Sequence, residues 1–334
     1  MLKLSSKPLP ALSEVLASSH VVSIPTRTRF RGVTEREVVL FAGPKRWSEF
    51  SPFIEYDNVE ASSWLEAALE FAWHPLQALH RDSVEVNATI PAVSPSEVPA
   101  ILARFEGCDT VKVKVAETGQ NLSDDINRVA AVREALGTDA LIRIDANGGW
   151  SLSQAQKALS ELKSFDLDYA EQPVMEIANL AKLRLQFAGE VKIAADESVR
   201  KAADPLAVAR AEAADLLVVK VQPLGGVFRA QQIIEQAGLP VVISSALETS
   251  VGISMGAHLA AALKPEQLHG ACGLGTAALL HGDVTRNPLL AKAGFIPVTE
   301  VQVETSLLDK FRASPDRIAW WRDRIERCYA QLNV

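Results

Sequence analysis

From about residue 84 to about residue 283 the chain repeats one rhythm, a short apolar segment followed by an amphipathic one. The apolar segments at 85–91, 110–116, 141–147, 168–172, 192–197, 216–222 and 241–245, with a weaker one at 270–273, read as β-strands. The gaps carry helical patterns, for example at 124–136, 152–162, 205–213 and 251–263. Parallel strands need such crossovers. Eight of them at a spacing of roughly 25–30 residues suit a closed (β/α)₈ barrel better than an open sheet. No Gly-x-Gly-x-x-Gly follows the first strand, which weakens a dinucleotide-binding alternative.

The flanks lack this alternation. Residues 36–41 and 47–53 read as strands, and 61–73 as a helix with Trp64, Leu65, Ala68, Phe71 and Ala72 on one face, ended by Pro75. Past residue 283 the rhythm stops, and 315–332 reads as a helix carrying Ile318, Trp321, Ile325 and Tyr329. Strands followed by a helix without further alternation suggest a small α+β unit, onto which the last helix is expected to fold back. The expected architecture is α/β: a modified (β/α) TIM-type barrel at 85–283 that carries the chemistry. An α+β capping domain is expected from 1–84, with the tail 284–334 packed back upon it.

At 334 residues the chain exceeds one ordinary core but suits a barrel plus a small domain. A net charge of -7, from 41 acidic and 34 basic residues without long like-charge blocks, gives no footprint for nucleic acid or an anionic membrane. Cys108, Cys272 and Cys328 are far apart and read as reduced thiols. Glu14 and His20 interrupt the apolar residues near the N-terminus, and no run of 18 apolar residues occurs. The expectation is a cytoplasmic protein acting on a small molecule. Its oligomeric state is open, and a monomer is compatible with the sequence.

In a barrel of this kind, chemistry is done at the C-terminal ends of the strands. The second candidate strand is Thr-Val-Lys-Val-Lys-Val, which puts Lys112 and Lys114 on one face and Val111, Val113 and Val115 on the other. Two ammonium groups on an inner face are expected to lower each other's pKa toward values useful for proton transfer. The next strand, Ile-Arg-Ile-Asp-Ala-Asn, aligns Arg143, Asp145 and Asn147 on one face. Ala-Glu-Gln-Pro brings Glu171, Ala-Asp-Glu-Ser brings Asp196 and Glu197, Val-Lys-Val-Gln-Pro brings Lys220, and the seventh strand ends in Ser244 and Ser245.

Asp145, Glu171 and Asp196, on three consecutive strands, are expected to converge. Three converging carboxylates call for a hard divalent cation, Mg²⁺ first and Mn²⁺ as a substitute. The absence of His or Cys there argues against zinc. The six histidines show no metal or triad spacing, and no Gly-x-Ser-x-Gly elbow exists. A cation flanked by lysines suits removal of a proton α to a carboxylate, because it stabilises the enediolate, and Lys114 and Lys220 can address the α-carbon from opposite sides.

In this order and spacing, the five motifs resemble those of the muconate-lactonising subgroup of the enolase superfamily, over about residues 84–280. The N-terminal region resembles that superfamily's capping domain. Phe-Arg-Gly, Trp-Ser-Glu-Phe-Ser-Pro-Phe and Ile-Ser-Ser-Ala-Leu-Glu-Thr-Ser resemble the o-succinylbenzoate synthase family in its actinobacterial form. The resemblance implies dehydration of a cyclohexadiene carboxylate in menaquinone biosynthesis. Lys114 would be base and then acid, Lys220 and Lys112 would stabilise charge, and Asp145, Glu171 and Asp196 would hold Mg²⁺. Arg143, Asn147, Ser244 and Ser245 would orient ligands or substrate, while the loop 26–32, with Arg29 and Arg31, would cover the site. Open alternatives are an N-acylamino acid racemase or dipeptide epimerase on the same lysines, a muconate-type cycloisomerase, and a barrel that only binds a partner.

Overall fold

The computed structural model describes residues 8–30, 32–201 and 204–332. Arg31 lies outside the described residues. β1 (Ser19–Phe30), β2 (Val33–Ala42) and β3 (Trp47–Phe50) form an antiparallel sheet in that order. The helix Asn58–Trp73 packs on it, and Asp57 caps the helix by accepting from the Glu60 amide. The C-terminal helix Pro315–Gln331 returns to the same helix and sheet. Their common core contains Phe41, Phe50, Trp64, Leu65, Trp321 and Ile325, with the Phe50 and Trp321 rings edge to face at 5.8 Å. Trp321 Nε1 and the Arg317 guanidinium both donate to Glu37, so the polar tips of the returning helix are satisfied as its apolar face is buried.

β4 (Ser83–Glu85) pairs antiparallel with β12 (Phe295–Pro297), outside the main sheet. Seven parallel strands make that sheet: β5 (Ala88–Ile90), β6 (Thr110–Lys114), β7 (Leu141–Asp145), β8 (Leu167–Glu171), β9 (Lys192–Ala195), β10 (Leu216–Lys220) and β11 (Val241–Ser244), in spatial sequence order. Helices such as Leu122–Leu136, Leu152–Leu162 and Val227–Ala237 cover the outside.

The eighth strand is reduced to single bridges. Leu268 and Gly273 pair with Val241 and Ser244, and Cys272 pairs with Val86, so this segment joins the two edges of the sheet. The expected 205–213 helix is shortened to Ala207–Arg210.

β6 lies between β5 and β7, and all five of its residues are buried, both lysines included. It is therefore an interior strand, and its lysines face the barrel lumen. β7 and β8 each stop at their acidic residue, two residues and one residue before the ends that the sequence pattern suggests. Just beyond, Asn147 and Gln172 adopt left-handed backbone, with φ of 46° and 38°, and turn the chain away.

Candidate active site

Register assembles the site. Lys114, Asp145 and Glu171 are direct partners across β6, β7 and β8 and form one layer at the C-terminal mouth. Lys112, Arg143 and Tyr169 form the layer below. Lys220 ends β10, four strands from β6, and is partnered by Ser244. Asp196 follows β9. A small cavity of about 20 Å³ is lined by Lys112, Lys114 and Lys220 together with Asn147, Ser244 and Ser245, and is walled by Phe30 and Phe53 of the cap. A larger one of about 360 Å³ lies at the mouth, where Arg29 and Phe30 meet Lys114 and Asn147.

The charges are buried and paired. Lys114 Nζ donates to Asp145 and, at 2.9 Å, to Asn147 Oδ1. Lys112 Nζ bridges Glu171 at 3.1 Å and Asp145 at 3.5 Å. Lys220 holds one oxygen of Asp196, and Arg200 holds the other at 3.1 Å. All three carboxylates are at most 1% exposed.

Burial pushes Asp145 up, but Lys114 and Lys112 outweigh it and hold the acid far below the usual range. Burial likewise opposes the charge on Asp196, which Lys220 and Arg200 lower to about 2. Glu171 goes the other way. Burial first, and then the charge of Asp145, push it up to about 7. Lys112 corrects an expectation. Burial alone would depress it, but Glu171 and Asp145 lift the amine above its ordinary value, so carboxylates dominate over the neighbouring ammonium.

Among the described residues no group of three or more His, Cys, Asp or Glu side chains is arranged to hold a metal ion. Each acid is committed to a lysine or arginine instead. The donor chemistry fits a hard divalent cation nonetheless. The three acids supply only oxygen, and all three are buried at the ends of neighbouring strands.

Arg143 does not reach the mouth. Its Nε donates to Asp168 at 2.9 Å, Nη1 to the Asn87 side chain and the Ala271 carbonyl, and Nη2 to the His269 carbonyl. A bulge after Ile142 in the β7/β8 register turns Asp168 toward it. Arg143 thus fastens the closing segment to the barrel floor, one layer below Asp145. Asn147 positions Lys114 and also donates to Glu197 at 3.2 Å. Ser245 Oγ is committed to the Gly273 carbonyl and Thr276, whereas Ser244 Oγ packs against Gly273, where a Cβ would meet it at 2.5 Å. Residues 26–30 belong to a hairpin strand that carries Phe30 inward and Arg29 outward, in place of a loose loop.

Some supporting residues are not singled out by pattern. Gln172 accepts from the Asp196 amide at 3.0 Å and so fixes the turn that presents this acid. Gln222 Oε1 accepts from the Ser51 amide at 3.2 Å, and its Nε2 donates to Glu248 at 2.8 Å. Glu49 accepts from Ser51 Oγ at 2.7 Å and from Thr249 Oγ1 and the Thr249 and Gly252 amides, tying the cap to the start of the helix Ser250–Ala262. Each lies inside a quoted motif, Gln172 next to Glu171 and Gln222 two positions past Lys220, and that proximity was the only signal.

Residues 99–302 match the family described as enolase C-terminal domain-like, and residues 21–72 match enolase N-terminal domain-like. The o-succinylbenzoate synthase of Mycobacterium leprae is 50% identical over 97% of this chain and 95% of its own length. That of Mycolicibacterium smegmatis is 49% identical over 97% and 99%. Among solved structures, muconate lactonizing enzyme from Pseudomonas fluorescens superposes with a TM-score of 0.74 at 20% identity, covering 89% of this chain and 98% of that one. The N-succinyl Arg/Lys racemase from Bacillus cereus gives 0.72 at 19% identity, covering 89% and 97%; at these identities the likeness is one of fold.

Proposed function

Because the chain belongs to the enolase superfamily, and within it to the o-succinylbenzoate synthases, we propose that its barrel mouth dehydrates 2-succinyl-6-hydroxy-2,4-cyclohexadiene-1-carboxylate to 2-succinylbenzoate. The observation that carries the site assignment is the cavity shared by Lys112, Lys114 and Lys220 beside three buried acids.

In this reading Lys114 takes the proton α to the ring carboxylate. The C–H electron pair enters the enediolate. The same ammonium then protonates the hydroxyl on its own face, the C–O bond breaks, and water leaves as the ring becomes aromatic. One residue serves both steps because elimination is syn. Asn147 fixes the amine's direction. Lys220 faces the other side of the ring and Lys112 lies beneath it, both countering the developing negative charge. Lys114 is engaged by Asp145, so it serves as a base only once that acid is turned to another partner.

Asp145, Glu171 and Asp196 would hold Mg²⁺, with Mn²⁺ a substitute. When bound, the cation supplies positive charge against the carboxylate oxygens of the substrate. Three lysines and three acids leave the cluster near neutrality, so a divalent ion would add the two charges that a dianionic enediolate neutralises. The cap adds the apolar wall of Phe30 and Phe53, with Arg29 at the entrance. A cavity of about 20 Å³ has room for about one water, so the cap must shift to admit a ring. Ser244 and Ser245 would contact the substrate from β11.

We assign capping to 1–84 and 284–334, catalysis to 85–283, and a cytoplasmic location. No helix among the described residues is long and apolar enough to cross a membrane.

Lysines on both sides of one cavity also suit racemisation of N-acylated amino acids. Turnover of the cyclohexadiene, followed by the aromatic absorbance of the product, is the test, with N-succinyl amino acids assayed in parallel. Dehydration with little or no racemisation is expected. Racemisation alone would overturn the substrate assignment, and no turnover of either despite bound Mg²⁺ would favour a binding role.

A further inference from the structure

A third cavity, about 550 Å³, lies outside the barrel between the cap strand β1 and the segment after the closing strand. Its lining joins apolar groups, Leu280, Pro288 and Leu290 among them, to three arginines, Arg27, Arg104 and Arg286. The acids nearby do little for these cations. Asp283 turns away and accepts from the Ser250 amide, the Ser250 hydroxyl and the Val284 amide. Arg286 meets Glu304 only at 3.5 Å, in the open. Arg27 uses Nε on the Leu280 carbonyl at 2.9 Å. Arg104 Nη1 is shut off from solvent without any hydrogen-bond partner. Burial, and then the charge of Arg27, disfavour the Arg104 cation. Three like charges gathered beside an apolar floor repel one another unless an anion joins them.

We propose that this cavity is a second binding site, for a small cyclic carboxylate, with Arg104 and Arg27 taking the carboxylate and the apolar floor taking the ring. Guanidinium forks suit carboxylates in two-point contact, and the volume lies within the range of ordinary ligand pockets. The site also borders the barrel mouth. Ala277 and Ala278 belong to the turn Thr276–Leu279, whose first residue bonds Ser245 at 2.8 Å and lines the lysine cavity. Arg27 precedes Phe30 on the same strand. An occupant would therefore rest on two of the segments that shape the active site. The proposal does not depend on the reaction assigned above.

The test is calorimetric titration of the Mg²⁺-loaded full chain with phthalate, with benzamide as the neutral control. Arg104→Ala, Arg104→Lys and Lys114→Ala are compared with the wild type. The expected result is a phthalate site weakened about tenfold or more by Arg104→Ala, partly restored by Arg104→Lys, and kept in Lys114→Ala. Affinity unchanged by Arg104→Ala, phthalate binding lost only in Lys114→Ala, or equal binding of benzamide would each overturn it. Should Arg104→Ala fail to fold, Arg27→Ala carries the same arm. Turnover by the Arg104 variants, measured alongside, separates this site from the catalytic one.

Discussion

Replacing Glu248 by glutamine should make the protein more stable at alkaline pH and leave it nearly unchanged at acid pH. Glu248 is 2% exposed and accepts a hydrogen bond from Gln222 at 2.8 Å. Burial, and then the charge of Glu49, push its pKa up to about 8 from 4.5. Glu49 is also raised, by burial, but four groups donate to it. It is therefore the member of the pair that keeps the charge.

A carboxyl whose folded pKa is raised contributes stability that is fully present below its unfolded value. That contribution is lost as pH rises through the folded value. For one proton the slope is at most ~1.4 kcal/mol per pH unit. Over the interval from 4.5 to about 8 the loss amounts to at most ~5 kcal/mol. Glutamine keeps the shape and cannot ionise. Urea unfolding of both proteins from pH 5 to pH 9 measures the difference, which should be under ~1 kcal/mol at pH 5 and widen steadily toward pH 8. Parallel curves across the range would refute the argument, since they would mean that Glu248 ionises in the fold as readily as outside it.

Lys114→Ala should lower kcat by about 10²–10⁴-fold or more, with circular dichroism unchanged; near-normal turnover would remove it as the base. EDTA should silence the enzyme and Mg²⁺ or Mn²⁺ restore it, because the paired acids alone cannot hold an enediolate; full activity in chelator would exclude the cation from the reaction. Arg29→Ala should raise KM several-fold without shifting the unfolding midpoint, since the side chain is exposed at the mouth; a large loss of stability would make it structural. Arg143→Met should cost ~1–3 kcal/mol of stability by leaving Asp168 with only His269 and the exposed Lys192 and by taking the donor from the Ala271 and His269 carbonyls, while KM of the folded fraction stays put; a KM effect with intact stability would return Arg143 to the substrate.

Alternation along a strand shows which side chains share a face, as it does for Lys112 with Lys114 and for Arg143 with Asp145. It does not show depth. Arg143 and Asp145 share a face, yet register puts Arg143 with Lys112 and Tyr169 one layer down, where it closes the floor. Depth comes from pairing between strands far apart in sequence, and a bulge at Asp168 changed it further. The pairing of charges was hidden for the same reason. The two lysines of β6 looked like mutual perturbers because only their spacing along the strand was visible. The carboxylates that govern Lys112 arrive from β7 and β8, at 3.5 and 3.1 Å. Helix positions were legible where the apolar stripe was long, as at Leu152–Leu162. The eighth strand, expected as weak at 270–273, and the helix Ala207–Arg210, expected at 205–213, were placed but not bounded, because single bridges and a short turn replace regular pairing there.

The division between barrel and cap has a mechanical consequence. The ionised groups that line the lysine cavity come from barrel strands, whereas Phe30 and Phe53, which set its apolar walls, come from the cap. The two are joined by a short polar chain. Gln222, two residues past Lys220, accepts from the Ser51 amide, and Glu49 closes on the first turn of the helix Ser250–Ala262. A change in the cap that tilts β3 therefore pulls directly on the strand end that presents Lys220. Substitutions at Phe30, on the cap hairpin, should alter which ring is accepted and leave proton transfer intact. Substitutions at Glu49 or Ser51 should lower kcat through the position of Lys220, even though neither residue reaches the substrate.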